Sequence, residues 1–275
     1  MKDHGNVWHV KLFSDPFVFV FVFCMIFATA FVVVLFSIMS KAPLDIAVVC
    51  EQIVEAEVAE AEVVLPPDAG QEINEEPVFS LPNIDPNGGV IALTFDDGPR
   101  PGSTERLLDI LKANNVRATF FVIGPQAINY SHIVSRAYND GHQIANHTMN
   151  HRDLTILSDD EVIYEISATS NIIAGITGQM PTALRPPYSN TDSRVQSLAG
   201  GLRVVKWNLD PSDWASRNTN LVYNNVASEL RDGSIVVLHD IYDSTVDAIQ
   251  AIIDIARAHN YSFVTIDEMI ALGRI

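Results

Sequence analysis

Basic residues are scarce in this chain of 275 residues: 17 Lys and Arg stand against 34 Asp and Glu, a formal net charge of −17. No basic stripe exists that could neutralise a run of phosphates, which excludes nucleic acid as a partner. Cysteine is scarcer still. The two present, Cys24 and Cys50, both precede residue 89, so neither a disulfide framework nor a thiolate metal site can support the part that follows. No internal repeat occurs beyond a local Val-Glu-Ala-Glu echo, which sets repeat architectures aside. The length allows one sizeable globular domain with extensions.

The acidity is unevenly spread. Residues 1–15 are short and polar, with Lys2 and Lys11, and no charge occurs from Phe17 to Met39. A bilayer core of about 30 Å needs roughly 20 apolar residues, so residues 16–40 are expected to form a transmembrane helix. The alternative is a secretory signal peptide cleaved near Ala28-Thr29-Ala30, which would leave Phe31 to Phe36 as an apolar new terminus. With Lys2 and Lys11 before the span, a single-pass protein of the cell membrane is expected, with residues 1–15 cytoplasmic and the rest extracytoplasmic. Between Ala42 and Gly88 there are eleven acids and no Lys or Arg. Residues 41–88 therefore read as an acidic extracytoplasmic linker, extended by its own charge. From Gly89 to the end 21 acids face 14 bases, and this is the globular domain, 89–275.

Short apolar runs alternate there with longer amphipathic ones. Strands are expected at Val90–Phe95, Ala118–Ile123, Gln143–Ala145, Ala183–Arg185, Arg203–Trp207, Ile235–Leu238 and Ser262–Val264, and helices at Thr104–Ala113, Asp159–Ala174, Leu221–Leu230 and Thr245–Ala258. Val246, Ile249, Ile253 and Ala256 recur at helical spacing, which gives the last helix a buried stripe. Successive βα units make an α/β fold, either a parallel barrel or a doubly wound open sheet. In a barrel, reactive groups sit just past the strand ends on one rim. Five successive strand ends oblige: Asp96-Asp97, His147, Arg185, Asp210 with Asp213-Trp214, and His239-Asp240.

Two adjacent carboxylates at a strand end repel one another, and a bound cation is the simplest compensation, leaving one carboxylate free for proton transfer. His147 and His151, at i and i+4, share a face if their segment is helical. With one Asp they make three N and O ligands with positions left open for water and substrate, the pattern of a catalytic rather than a structural site. Zinc is the default for one such divalent ion, and cobalt, manganese or nickel would accept the same ligands. His4, His9, His132, His142 and His259 carry no such pattern.

Thr94-Phe95-Asp96-Asp97-Gly98, His147-Thr148-x-x-His151, Arg185-Pro186-Pro187-Tyr188, Asp210-x-x-Asp213-Trp214 and Leu238-His239-Asp240 together resemble the five motifs of the polysaccharide deacetylases, the NodB-homology type of carbohydrate esterase, in the family's order. The resemblance implies a distorted (β/α) barrel of seven or eight strands and metal-dependent removal of N-acetyl groups from amino-sugar polymers. It implies that Asp97, His147 and His151 bind the metal, that Asp96 is the general base and His239 the general acid. Arg185 would hold Asp96, and Asp213 would orient His239. Trp214 and Leu238 would line the acetyl pocket, and the Tyr188 backbone N–H would help stabilise the oxyanion. Ser189 departs from the family, which often has Gly there, and bears on the shape of that loop. The expected substrate is peptidoglycan N-acetylglucosamine, with chitin oligomers second and O-acetyl xylan as the ester alternative. A hypothesis of another class is an inactive glycan-binding module that uses the rim only to hold sugar.

Overall fold

The computed structural model describes Ile84 and residues 88–275. Among these residues there are seven strands, β1 (Gly89–Asp96), β2 (Thr119–Val122), β3 (Gln143–Asn146), β4 (Ala183–Leu184), β5 (Arg203–Val204), β6 (Ile235–His239) and β7 (Tyr261–Phe263). Every ladder between them is parallel. The helices between and after them are α1 (Ser103–Ala113), α2 (Gly124–Asn129), α3 (Ser131–Asn139), α4 (Asp159–Thr177), α5 (Ser193–Ser197), α6 (Asp213–Ser216), α7 (Thr219–Glu229), α8 (Asp243–Ala258) and α9 (Ile266–Ala271).

The sheet order is β5-β4-β3-β2-β1-β6, with β7 branching from β1. One edge of β1 is shared, since Gly89–Ile91 pair with β7 and Thr94–Asp96 with β2, while the other edge pairs with β6. The chain leaving β5 then crosses to β6, where Leu209 bridges Val236. That single bridge replaces a ladder, so the expected barrel of seven or eight strands is corrected to a distorted half-barrel of seven. The reason is local: β4 and β5 hold only two residues each, too few to carry a regular closure. A doubly wound sheet is ruled out by that same crossing, which brings the end of the β5 segment round to β6.

The membrane expectations are also corrected. Among the described residues no helix is long and apolar enough to cross a membrane, and residues 16–40, on which the transmembrane helix rested, lie outside them. The single-pass placement, the cytoplasmic N-terminus and the membrane as a partner rested on that helix and are not retained. The linker at 41–88 lies almost wholly outside the described residues as well.

Side chains alternate across a strand, and this sorts the core into two layers. Val90 and Ala92 of β1, Phe121, Ala145, Ala183 and Ile235 form one apolar cluster, closed below by Ile266 and Met269 of α9. Leu93 and Phe95, Phe120 and Val122 belong to the other cluster, packed with the helices. The stripe expected on α8, Val246, Ile249, Ile253 and Ala256, is fully buried there, each large side chain contributing about 1.5–3 kcal/mol of transfer free energy. Continuing the phase of Val90 and Ala92 puts Thr94 and Asp96 on the inner face, at the rim.

Candidate active site

β1 delivers Asp96 and Asp97 in opposite senses. Asp96 is almost fully buried, whereas Asp97 leaves the extended conformation at φ 74°, which swings its carboxylate across the rim. The turn needs a glycine next, because a Cβ on Gly98 would collide with the Asp240 carboxylate. Burial pushes Asp240 up to about 7, against the hydrogen bond from Thr104.

His147 and His151 approach from the segment after β3. The segment is an irregular loop and not the helix that i,i+4 spacing invites, with Thr148 at φ 70° and His151 at φ 51°. The loop still brings the rings together, edge to face with centroids 4.9 Å apart. His147 Nδ1–H donates to the Arg185 carbonyl at 2.6 Å, which leaves Nε2 free with its lone pair toward Asp97. Burial holds the His147 pKa below its ordinary value despite Asp96 and Asp97, so the ring stays neutral, as a metal ligand must be.

Asp97 Oδ1 lies 3.5 Å from His147 Nε2 and 3.4 Å from His151 Nε2, and one ligand atom from each residue falls within 4.8 Å of the others. That oxygen is buried and has no hydrogen-bond partner. An orphaned carboxylate oxygen facing two imidazole nitrogens fits a divalent metal ion, and these three residues could hold one.

Two further pairs flank this trio. Arg185, fully buried, donates from Nη1 to Asp96 Oδ1 at 2.7 Å and to Thr94 Oγ1 at 2.8 Å, with its guanidinium 4.1 Å above the Phe121 ring. On the other side His239 Nδ1–H donates to Asp213 Oδ1 at 2.8 Å, and Asp213 Oδ2 accepts the His239 backbone N–H and the Thr245 hydroxyl. Burial works against protonating His239. The Asp213 hydrogen bond and charge, with Asp96 and Asp97 adding, outweigh it and raise the pKa to about 9. Its Nε2 points inward, 4.0 Å from Asp97 Oδ2.

These groups open on a cleft of about 400 Å³ lined also by Tyr188, Trp207, Asp210, Trp214, Val237 and Tyr242. Tyr188 stands at φ 59° in a 3₁₀ turn, its ring against His151, and Trp214 is largely exposed on α6. Leu238 is placed elsewhere, in the helix-packed core, and its neighbour Val237 lines the cleft. Trp207 and Tyr242 are cleft residues that no motif flagged, although Tyr242 lies three positions past His239.

A buttress behind the histidine loop also escaped the motifs. Buried Glu165, on α4, accepts the Asn150 backbone N–H at 2.7 Å and its side-chain amide at 2.9 Å. Asn146 accepts from Thr148 N–H and donates to the Ile166 carbonyl and Ser170. Groups that orient ligands typically change metal affinity by about 10- to 100-fold. Glu165→Ala is therefore expected to weaken metal retention by about that factor in a competition titration, and unchanged affinity would show that the loop holds itself.

Residues 83–205 match the family model described as polysaccharide deacetylase. The chain is 38% identical over 195 residues to the peptidoglycan-N-acetylmuramic acid deacetylase PdaC of Bacillus subtilis, covering 70% of this chain and 42% of that protein. It is 40% identical over 179 residues to the peptidoglycan-N-acetylglucosamine deacetylase PgdA of Listeria monocytogenes, covering 65% and 38%. A chitooligosaccharide deacetylase of Bradyrhizobium is 40% identical over 155 residues, covering 55% of this chain and 71% of the relative. The solved structure of PdaC superposes with a TM-score of 0.67 at 37% identity, covering 70% of this chain and 94% of that one. The chain thus spans less than half the length of PdaC and PgdA.

Proposed function

The chain belongs to the polysaccharide deacetylase family, and from that premise we propose that residues 89–275 are a metal-dependent hydrolase that removes N-acetyl groups from amino-sugar polymers, with peptidoglycan N-acetylglucosamine as substrate. The observation that carries the reading is the convergence of Asp97, His147 and His151 between a carboxylate on one side and a protonated imidazole on the other. Zinc is the ion we assign to Asp97, His147 and His151, because a mixed N and O set with open positions suits it. Such an ion supplies Lewis acidity toward the amide carbonyl and toward water.

The residues supply the rest. Asp96, oriented by the Arg185 guanidinium, accepts the proton of the attacking water. His239, held charged by Asp213, gives a proton to the departing amine, which is too basic to leave unaided. The Tyr188 backbone N–H donates to the developing oxyanion. Trp214 walls the acetyl pocket, with Val237 opposite and Leu238 acting only through the packing behind it.

The names of PdaC and PgdA favour a wall polymer, and that of the Bradyrhizobium protein a chitin oligomer. Incubating the protein with peptidoglycan, chitin oligomers and acetylated xylan, and assaying free amines beside acetate, tests the reading. Amines and acetate released in equal amounts from peptidoglycan are expected. Acetate from xylan alone would overturn the amide chemistry. Sugar binding with no bound metal and no acetate would favour an inactive glycan-binding module.

A further inference from the structure

The short helix α6, which carries Asp213 and Trp214, is bracketed by two residues in left-handed backbone, Ser212 at φ 54° and Arg217 at φ 46°. For an arginine that conformation is costly, and it persists where the surroundings over-determine it. Three contacts hold this one. The Arg217 backbone N–H donates to the Asp213 carbonyl at 3.1 Å, its Nε–H donates to the Trp214 carbonyl at 2.8 Å, and the guanidinium carbon lies 3.4 Å from the centroid of the Tyr242 ring.

These contacts fix where the charge sits. Trp214 and Tyr242 both line the catalytic cleft, and the Tyr242 ring stands beside that of His239, with centroids 5.7 Å apart. Arg217 itself is exposed and lies outside the lining, so its guanidinium occupies the lip, in contact with two residues of the cleft wall.

The charge is also uncancelled. Arg100, Arg106, Arg152 and Arg274, exposed like it, each pair with an Asp or Glu. Arg217 forms no salt bridge with a carboxylate among the described residues and rests on neutral partners, a π face and a carbonyl. A guanidinium ordered in this way offers its remaining N–H groups to a carboxylate at little further entropic cost.

The cleft proper is lined by no lysine or arginine and takes the acetamido sugar, so Arg217 is the cation that a neighbouring part of the polymer meets. Chitin has no anion to place there. Peptidoglycan has carboxylates of two kinds, the lactyl carboxyl of N-acetylmuramic acid where the peptide has been removed and those of the peptide stems. We infer that Arg217 is a specificity residue that binds a carboxylate borne beside the sugar being deacetylated, and so favours peptidoglycan over chitin. The choice of polymer rests on the deacetylase reading above.

The test compares Arg217→Gln and Arg217→Lys with the wild type on three soluble substrates. Glycan strands stripped of peptide carry free lactyl carboxylates, fragments with peptide stems carry those of the peptide, and tetra-N-acetylchitotetraose carries none. In Arg217→Gln, KM for the acidic substrates is expected to rise about three- to fivefold, the upper range for an exposed ion pair, with kcat kept and the difference lost at high salt. Arg217→Lys should recover part of it, and both variants should match the wild type on the chitin tetramer. A rise on stripped strands assigns the lactyl group as the anion, and a rise confined to stem-bearing fragments assigns the peptide. KM unchanged on both would overturn the inference. So would an equal rise on the chitin tetramer, because Arg217 would then only brace Tyr242 beside His239. Calorimetric titration with the two acidic substrates separates the site from the chemistry. If the wild type releases no acetate from any substrate yet binds an acidic one more tightly than Arg217→Gln does, the enzymatic reading fails and the carboxylate site stands. Equal affinity in the two proteins means that the site fails.

Discussion

Asp97→Ala is expected to lose metal and activity together. Among the described residues it supplies the one carboxylate grouped with the two histidines, and without it two imidazoles remain as ligands. Nothing else in the trio carries charge to offset a divalent cation, so affinity should collapse rather than decline. Elemental analysis of the purified variant beside acetate release checks this. Retained metal with lost activity would move Asp97 from ligand to proton-transfer group, and retained activity would remove it from the site. Asp96→Ala makes the contrast, because it takes away the residue proposed as base while the three ligands stay. It should keep its metal and still fail to release acetate.

The second large effect belongs to His239. His239→Ala is expected to lower kcat by about 10² to 10⁴-fold, the usual worth of a positioned acid, with metal content unchanged. The more discriminating variant is Asp213→Asn. A general acid works only while protonated, so the alkaline limb of the pH–rate profile marks its pKa. In the folded protein burial lowers that pKa and the Asp213 hydrogen bond and charge raise it, the balance standing at about 9. Asparagine keeps the shape but removes the charge, so burial acts unopposed by its main partner and the limb must move to lower pH. A hydrogen bond to a charged group is worth about 1.5–3 kcal/mol, so a shift of about one to two pH units is expected. Profiles for the two proteins side by side decide it. An alkaline limb that stays in place would assign the acid role elsewhere, and a variant that lost its metal would show that Asp213 supports the ligand loop as well.

Some of this site can be read directly from the order of residues, and the reason is that the information is local. An apolar run ending in Asp96-Asp97-Gly98-Pro99 declares a buried strand that terminates on charge, whatever surrounds it. The pairing of His147 with His151, and of Arg185, Asp213 and His239 with their strand ends, follows from the βα alternation, since a parallel layout of that kind gathers all strand ends on one rim. The strands at 90–95, 118–123, 143–145, 183–185, 203–207, 235–238 and 262–264 each meet a strand in the structure, because β-branched and apolar runs between turn residues have few other stable uses.

Other features depended on what lies across the sheet. Whether Val237 or Leu238 faces the cleft is a matter of phase, and the phase of a strand is set by its ladder to β1, here Leu93 beside Val236 and Thr94 beside Val237; a shift of one residue exchanges the two faces. The histidine loop takes left-handed backbone at Thr148 and His151 where Asn146 at the end of β3 and Glu165 on α4 grip it, and nothing near Glu165 distinguishes it from any acid on an amphipathic helix. The sequence by itself determined the chemical inventory and the rim on which it collects. Tertiary structure alone decided which face each group shows, because side-chain direction in a sheet is fixed by neighbours distant in sequence and not by the residues on either side.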